Sequence, residues 1–140
     1  MDQTFKYASQ VSHLTNCPPT SATSLQRQAF RFVHSDSSMS NKSFLPRALL
    51  LPGRKLKGEQ RCCESYALSM FDTEEKARAK FLKLSESNQL IKQHLGDQLA
   101  KGSVDPADGL STKSNSEGHF SFFEFSGVDL SGKFNSIGAL

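Results

Sequence analysis

The fold is decided by one stretch near the C-terminus of the 140-residue chain, His119-Phe120-Ser121-Phe122-Phe123-Glu124-Phe125. In an extended strand the side chains alternate between two faces, and here phenylalanine occurs on both of them. Burying each of four Phe side chains stabilises a fold by about 1.5–3 kcal/mol. A strand that is apolar on both faces is typical of a sheet interior covered on both sides. The stretch therefore predicts a central strand at the middle of the core.

Two more strands are predicted upstream of this stretch. Residues 28–34 alternate, with Phe30 and Phe32 on one face and Arg31 on the other. Residues 65–71 are short and mostly apolar, which is typical of a largely buried strand.

A helix is predicted directly after the second of these strands. Asp72 is placed to cap its first turn, and Glu75 completes a capping-box pattern three residues later. Ala77, Phe81 and Leu84 then recur at the spacing of one helix face, which predicts that this face is buried. A second, shorter helix follows and ends at a glycine.

These elements predict an α+β fold over residues 27–140, a small and mainly antiparallel sheet of four to six strands with two helices packed on it. Residues 100–102 and 105–109 have the composition of turns. Residues 1–26 are rich in Ser, Thr, Gln and Asn and contain Pro18-Pro19. Such a stretch buries too little apolar surface to offset its loss of entropy, so a flexible N-terminal arm is predicted. The alternative is a loosely docked leader that covers an edge of the sheet.

Composition and cysteine usage restrict the class of protein. Lys and Arg outnumber Asp and Glu by 17 to 14, so nucleic acid is only weakly supported as a partner. No apolar run approaches the roughly 18 residues that span a bilayer, and no membrane partner is expected. The three cysteines, Cys17, Cys62 and Cys63, form no CxxC pair, and the four histidines are scattered. We therefore expect reduced thiols, no metal site and a cytoplasmic location.

The segment of residues 47–61 is strongly basic, with Glu59 as its single acid. Its bases are Arg47, Arg54, Lys55, Lys57 and Arg61. A solvated basic loop accounts for this pattern. The functional alternative is a patch, formed by Arg54, Lys55, Lys57 and Arg61, that binds phosphate or an acidic protein partner.

Three polar side chains fall on otherwise apolar strands, namely Arg31, Ser69 and Glu124. A carboxylate among aromatic side chains either meets a cation or has its pKa raised by desolvation, so Glu124 is expected to pair with Arg31 across the sheet. One interpretation is an ion pair that closes one end of the sheet, or a solvent-facing Glu124. The other is a cleft in which Arg31 anchors an anionic ligand and Glu124 orients a hydroxyl or stabilises a cationic transition state.

The order of these three residues resembles that of ADP-ribosyltransferase-like domains, with Arg on a first strand, Ser on a strand that runs into a helix, and Glu on a late strand. Residues 66–77 look like the serine strand and the helix that follows it, both in that family and in the related small toxin domains that consume NAD. The resemblance implies that Arg31 contacts the NAD phosphates and that Ser69 helps to seat the nicotinamide ribose. Glu124 would stabilise the oxocarbenium-like transition state.

Two functions are therefore predicted. The first is a small cytoplasmic binding or accessory protein that acts through a protein partner and needs no cofactor. The alternative is a small NAD-consuming enzyme with Arg31, Ser69 and Glu124 as catalytic residues, such as a bacterial toxin or defence effector.

Overall fold

The structure is a computed structural model that describes residues 3–140. Its strands are β1 (Arg27–Val33), β2 (Leu68–Phe71), β3 (Gln98–Val104), β4 (Gly109–Ser111), β5 (His119–Glu124) and β6 (Phe134–Ala139). They form one sheet in the order β4-β5-β2-β1-β3-β6, and all of its neighbouring strands are antiparallel. This confirms the predicted antiparallel sheet.

The Phe-rich stretch forms β5, which lies inside the sheet between β4 and β2. Phe120 and Phe122 are buried on one face, in a cluster with Leu68 and Met70 of β2. Phe123 is fully buried on the other face. Both faces of β5 are therefore covered, as its sequence predicts.

Four helices occur within residues 3–140: α1 (Arg47–Leu50), α2 (Glu59–Glu64), α3 (Glu74–Ser87) and α4 (Ile91–Leu95). Helix α3 is the predicted long helix, and it packs Ala77 on the sheet beside Phe30, Phe71 and Leu99. None of the helices in this part of the chain is both long and apolar enough to cross a membrane.

The cap of α3 differs from the prediction by one residue. Thr73, and not Asp72, is the N-cap, because its Oγ1 accepts a hydrogen bond from the backbone N–H of Lys76 at 3.1 Å. Asp72 still belongs to the extended connection, where its own N–H donates to the carbonyl of Gly118. Glu75 consequently has no role in a capping box.

Strand β3 corrects the prediction of a turn at residues 100–102. Every residue of β1 pairs with β3, and Leu99 and Ala100 are buried. Gly102 is needed for a close approach and not for a turn, since a Cβ atom there would lie 2.5 Å from the carbonyl oxygen of Lys133.

The N-terminal segment also differs from its prediction as a flexible arm. Phe5, Tyr7 and Val11 are buried in a cluster with Cys63 and Phe123. Two backbone bridges fix this segment to the sheet, one from Phe5 to Phe125 at the end of β5 and one from Thr23 to Ser111 of the edge strand β4. The physical reason is the second apolar face of β5, which residues 3–26 cover.

A disulfide joins this segment to α2. Cys17 and Cys63 are bonded with their Cα atoms 5.5 Å apart, whereas Cys62 is a free thiol. The expectation of reduced thiols is therefore wrong for Cys17 and Cys63. Their separation of 46 residues gives no local signal of the pairing.

Candidate functional site

The candidate site is an opening between the two central strands. β1 pairs with β3 along its whole length, but it pairs with β2 only at Phe30 and Phe71. Beyond that pair the strands no longer share a ladder, and Arg31 of β1 and Ser69 of β2 border a cavity of about 280 Å³. The divergence of β1 and β2 thus places two of the three predicted site residues in one cavity.

Arg31 is held in this opening by neutral acceptors. Its Nε donates to the carbonyl of Ser43 at 2.7 Å, and its Nη1 donates to the carbonyl of Ser69 at 2.7 Å. The Phe44 ring lies on one side, with its centroid 5.8 Å from the guanidinium carbon. A guanidinium carries five N–H donors, so these two bonds fix its position and leave donors for a ligand.

Burial lowers the pKa of Arg31 to about 10, and the negative field of Glu124 opposes this shift. The side chain therefore remains a cation at neutral pH. No carboxylate is hydrogen-bonded to it among the residues that the structure describes. Arg31 is therefore a fixed, half-buried cation that contacts no counter-ion within residues 3–140.

The cavity wall carries further cations and no acid. Its other basic and imidazole side chains are Lys42, Arg47, Lys80, His34, His94 and His119. Lys80 is paired with Glu117 at 3.0 Å, whereas Arg47 donates only to the carbonyl of His94 at 3.4 Å. Asp and Glu are absent from the described lining of the cavity. The wall is therefore electropositive.

The rest of the wall is apolar. It consists mainly of Leu45, Pro46, Leu50, Phe71, Leu84 and Leu95. Pro46 precedes the first residue of α1, a position that suits proline because its missing N–H has no helical partner. The short helix that follows carries both Arg47 and Leu50 to the cavity. The arrangement suits a ligand with one charged end and one apolar end.

Two histidines of the wall are held neutral by their surroundings. Burial lowers the pKa of His34, and the field of Asp97 opposes this shift. Burial likewise lowers the pKa of His119, opposed by Glu64, and its ring lies against Phe71 with the centroids 5.5 Å apart. Both imidazoles can therefore gain a proton when the pH falls or when an anion is bound.

Glu124, the third predicted site residue, does not join the other two. Its side chain is 3% exposed, and its Oε1 lies 3.0 Å from the Nζ of Lys6. Lys6 also donates to the carbonyl of Val128 at 2.7 Å. The predicted ion pair of Glu124 with Arg31 is not formed. Glu124 lines a different cavity, of about 270 Å³, together with Lys6 and Asp129.

The environment of Glu124 disfavours its charge. Burial raises the pKa of its carboxyl group, and the ion pair with Lys6 and the field of Arg31 only partly oppose this effect. Sequence reasoning missed Lys6 as the partner because this residue lies in the stretch predicted as a flexible arm.

The residues of the predicted basic patch lie outside the Arg31 cavity. Arg54, Lys55 and Lys57 are exposed in the loop between α1 and α2, and Arg61 is exposed on α2. Burial lowers the pKa of Arg47, and the charge of Arg54 adds to this effect. Within residues 3–140 no group of three or more His, Cys, Asp or Glu side chains could hold a metal ion.

The chain matches no protein-family model, no curated protein and no solved structure. The resemblance to ADP-ribosyltransferase-like domains therefore depends only on the sequence features described above, which are the segment of residues 66–77 and the order of Arg31, Ser69 and Glu124. Of these, Arg31 and Ser69 line one cavity and Glu124 lines another.

Proposed function

We propose that the chain is a binding protein whose Arg31 cavity holds a small organic anion with an apolar body. The observation that carries this proposal is the state of Arg31. Two backbone carbonyls hold its guanidinium in place, and no acid lies among the described residues of the cavity wall.

Binding an anion is favourable because Arg31 has only neutral hydrogen-bond acceptors within residues 3–140. A cation that is partly removed from water loses solvation, and a neutral carbonyl compensates it less than an anion does. A bound carboxylate or phosphate would form charge-assisted hydrogen bonds with the free edge of Arg31. Because the side chain is already fixed, little conformational entropy is lost on binding.

The volume of the cavity restricts the size of the ligand. At about 280 Å³ it lies just below the usual range of about 300–1,000 Å³ for small-molecule sites. A single ring or a short chain with one anionic group suits this space. A dinucleotide is much larger.

An NAD-consuming enzyme is the second candidate, supported by the presence of Arg31 and Ser69 in one cavity. The position of Glu124, the predicted catalytic carboxylate, argues against this candidate, because Glu124 is paired with Lys6 in a different cavity. An enzyme of this kind would need Glu124 to leave Lys6 and move toward Arg31.

Thermal unfolding with matched ligands separates these candidates. Phenylacetate and octanoate should each raise the melting temperature, because a ligand at 100 times its Kd adds about 2.7 kcal/mol of stability. Phenylacetamide and octanamide have the same shape without the charge and should have no effect. Stabilisation by NAD but by neither acid would favour the enzyme, and equal effects of acid and amide would contradict the proposed anion site.

A conservative pair of variants locates the binding site. Arg31→Lys keeps the charge but loses the planar guanidinium that donates to two carbonyls. We therefore expect this variant to bind the acids at least tenfold more weakly. Arg27→Lys is the matched control, because Arg27 lies on the same strand and donates to Thr112 and Ser114 instead. Equal losses in the two variants would show that the effect is not specific to the cavity.

The disulfide supports an oxidising compartment for this protein, since disulfides persist mainly outside the cytosol. The expected cytoplasmic location depended on reduced thiols and loses that support. Alkylation of the protein as it is isolated from cells tests this point. We expect one thiol, Cys62, to react before reduction and all three cysteines afterwards.

A further inference from the structure

A second concave surface lies between α1, α2 and the N-terminal segment, and we call it the α1–α2 cleft. It measures about 330 Å³. Its apolar wall includes Leu14, Leu49, Leu51, Leu56 and Tyr66. Leu49 and Leu51 are 39% and 41% exposed, so part of this apolar wall faces solvent.

Of the exposed basic residues predicted as a patch, Arg54 lines this cleft, and the other three are chain neighbours of residues that line it. Arg54 is part of its wall, and Lys55 and Lys57 follow in the same loop. Arg61 lies on α2 four residues before Ser65, which also lines the cleft, so helical spacing places the two on one side. None of these four cations makes an ion pair within residues 3–140, and each either lines the cleft or is the chain neighbour of a residue that does.

The acids of α2 are turned away from these cations. Glu59 and Glu64 line a separate polar cavity of about 710 Å³ on the other side of the helix. Glu59 is held there by the hydroxyl of Thr15, which donates to its Oε2 at 2.7 Å. Helix α2 therefore turns its two acids away from the cleft, and none of the described residues that line the cleft is an acid.

We infer that the α1–α2 cleft docks a segment of a protein partner that carries one or two apolar side chains flanked by Asp or Glu. The apolar wall would hold the anchoring side chains, and the basic border would pair with the flanking carboxylates. A protein segment is favoured over an anionic membrane because the leucines line a concave cleft that a bilayer surface cannot enter. The inference is independent of the anion proposed for the Arg31 cavity, since α1 turns Arg47 and Leu50 to that cavity and Leu49 to the cleft.

Selection from a displayed random-peptide library tests this inference on the full chain with its disulfide intact. The charge-reversed variant Arg54→Glu/Lys55→Glu serves for counter-selection. We expect the recovered peptides to be enriched in Leu or Phe next to Asp or Glu. Synthetic copies should bind at least tenfold more weakly to this variant, to Lys57→Glu/Arg61→Glu and to Leu51→Ser.

Matched variants elsewhere on the surface control for charge and hydrophobicity. Lys92→Glu/Lys101→Glu makes the same charge change at two exposed positions away from the cleft. Leu82→Ser removes a leucine that is 65% exposed on α3. Both variants should bind the peptides within twofold of the native affinity.

The free thiol of Cys62 gives an independent readout of where the peptide lies. Cys62 lines the cleft, and its Sγ lies 3.6 Å from the carbonyl oxygen of Leu56. A bound peptide should therefore slow its alkylation by N-ethylmaleimide at least fivefold.

Three outcomes would overturn the inference. The first is a set of recovered peptides without the acidic and apolar enrichment, or none recovered after counter-selection. The second is peptide binding that the cleft variants leave unchanged. The third is protection of Cys62 by vesicles containing phosphatidylserine, lost in Arg54→Glu/Lys55→Glu, which would assign the surface to a membrane.

Discussion

Arg31 and Glu124 are two charged side chains on interior strands, and they differ in the groups that contact them. Arg31 is fixed by two neutral carbonyls and keeps an uncompensated positive charge at the cavity. Glu124 is almost fully buried and has its own cation, Lys6. The first arrangement suits ligand binding, whereas the second suits a structural contact that ties the N-terminal segment to β5.

Lys6→Met tests the structural role of this contact. Removing one partner of a buried pair should reduce the free energy of unfolding by about 3 kcal/mol at about pH 8. This loss in the free energy of unfolding should become smaller as the pH is lowered to about 5. Burial already raises the pKa of Glu124. Without Lys6, the carboxyl group therefore binds a proton in the folded state, and the variant regains stability as the pH falls through that folded pKa.

A double variant is the control for this prediction. Lys6→Met/Glu124→Gln removes both charges and should recover most of the stability at about pH 8. Urea denaturation at both pH values measures the differences. If Lys6→Met is as stable as the native chain at the higher pH, Glu124 is not the buried anion described here.

Strand β5 is the element on which both faces of the core depend. Phe122→Ala and Phe123→Ala should each lower the free energy of unfolding by about 3–5 kcal/mol, because each side chain is buried on a different face. Chemical denaturation of the two variants checks this. A large loss of stability at one position and none at the other would show that one face of the strand is exposed to solvent.

The N-terminal segment should act as part of the core. Phe5→Ala is expected to cost about 3 kcal/mol, because Phe5 is buried against Phe123 with their ring centroids 5.5 Å apart. Gln10→Ala, at an exposed position of the same segment, is the control. Thermal denaturation showing no difference between these variants would restore the description of residues 1–26 as a flexible arm.

Sequence patterns predicted the elements whose periodicity is strong and local, such as β5 and the buried face of α3. They failed where a tertiary neighbour decides the structure. Residues 100–102 have the composition of a turn, but a glycine is required at position 102 because the backbone of Lys133 packs directly against it. Phe5 and Val11 are surrounded in the sequence by polar residues, and the apolar positions there follow neither helical nor strand spacing. Their burial therefore depends on the face of β5 that they cover.

At the scale of the whole molecule, the candidate site was only partly predictable. Arg31 and Ser69 stand out as polar residues on apolar strands, and they do share a cavity. Lys80 and His94 contribute from α3 and α4, which come together only through the tertiary fold. No spacing in the sequence could indicate that these side chains line one cavity with Arg31.

The affinity for an organic carboxylate should increase several-fold as the pH falls from about 7.5 to about 5.5. Burial keeps the pKa of His34 and of His119 below its usual value, and a bound anion would raise both, so binding takes up protons. Without ligand, these histidines reduce stability over the same fall in pH, because the unfolded chain binds protons more readily. Calorimetric titration at both pH values checks the prediction.

The double variant His34→Gln/His119→Gln is the control for the pH effect. It should flatten the dependence of affinity on pH while leaving binding at about pH 7.5 nearly unchanged, since both imidazoles are neutral there. An unchanged pH profile would exclude these two histidines from the binding site.

Photoaffinity labelling of the native chain tests the anion site most directly. The probe is a short alkyl carboxylate with a diazirine at its apolar end, and the labelled peptides are mapped by mass spectrometry. The proposed site predicts labels on the apolar wall, at Leu45, Leu50, Leu84 or Leu95, that excess octanoate removes and octanamide does not. Labels confined to other surfaces, or equal competition by the amide, would contradict the assignment of the Arg31 cavity as an anion-binding site.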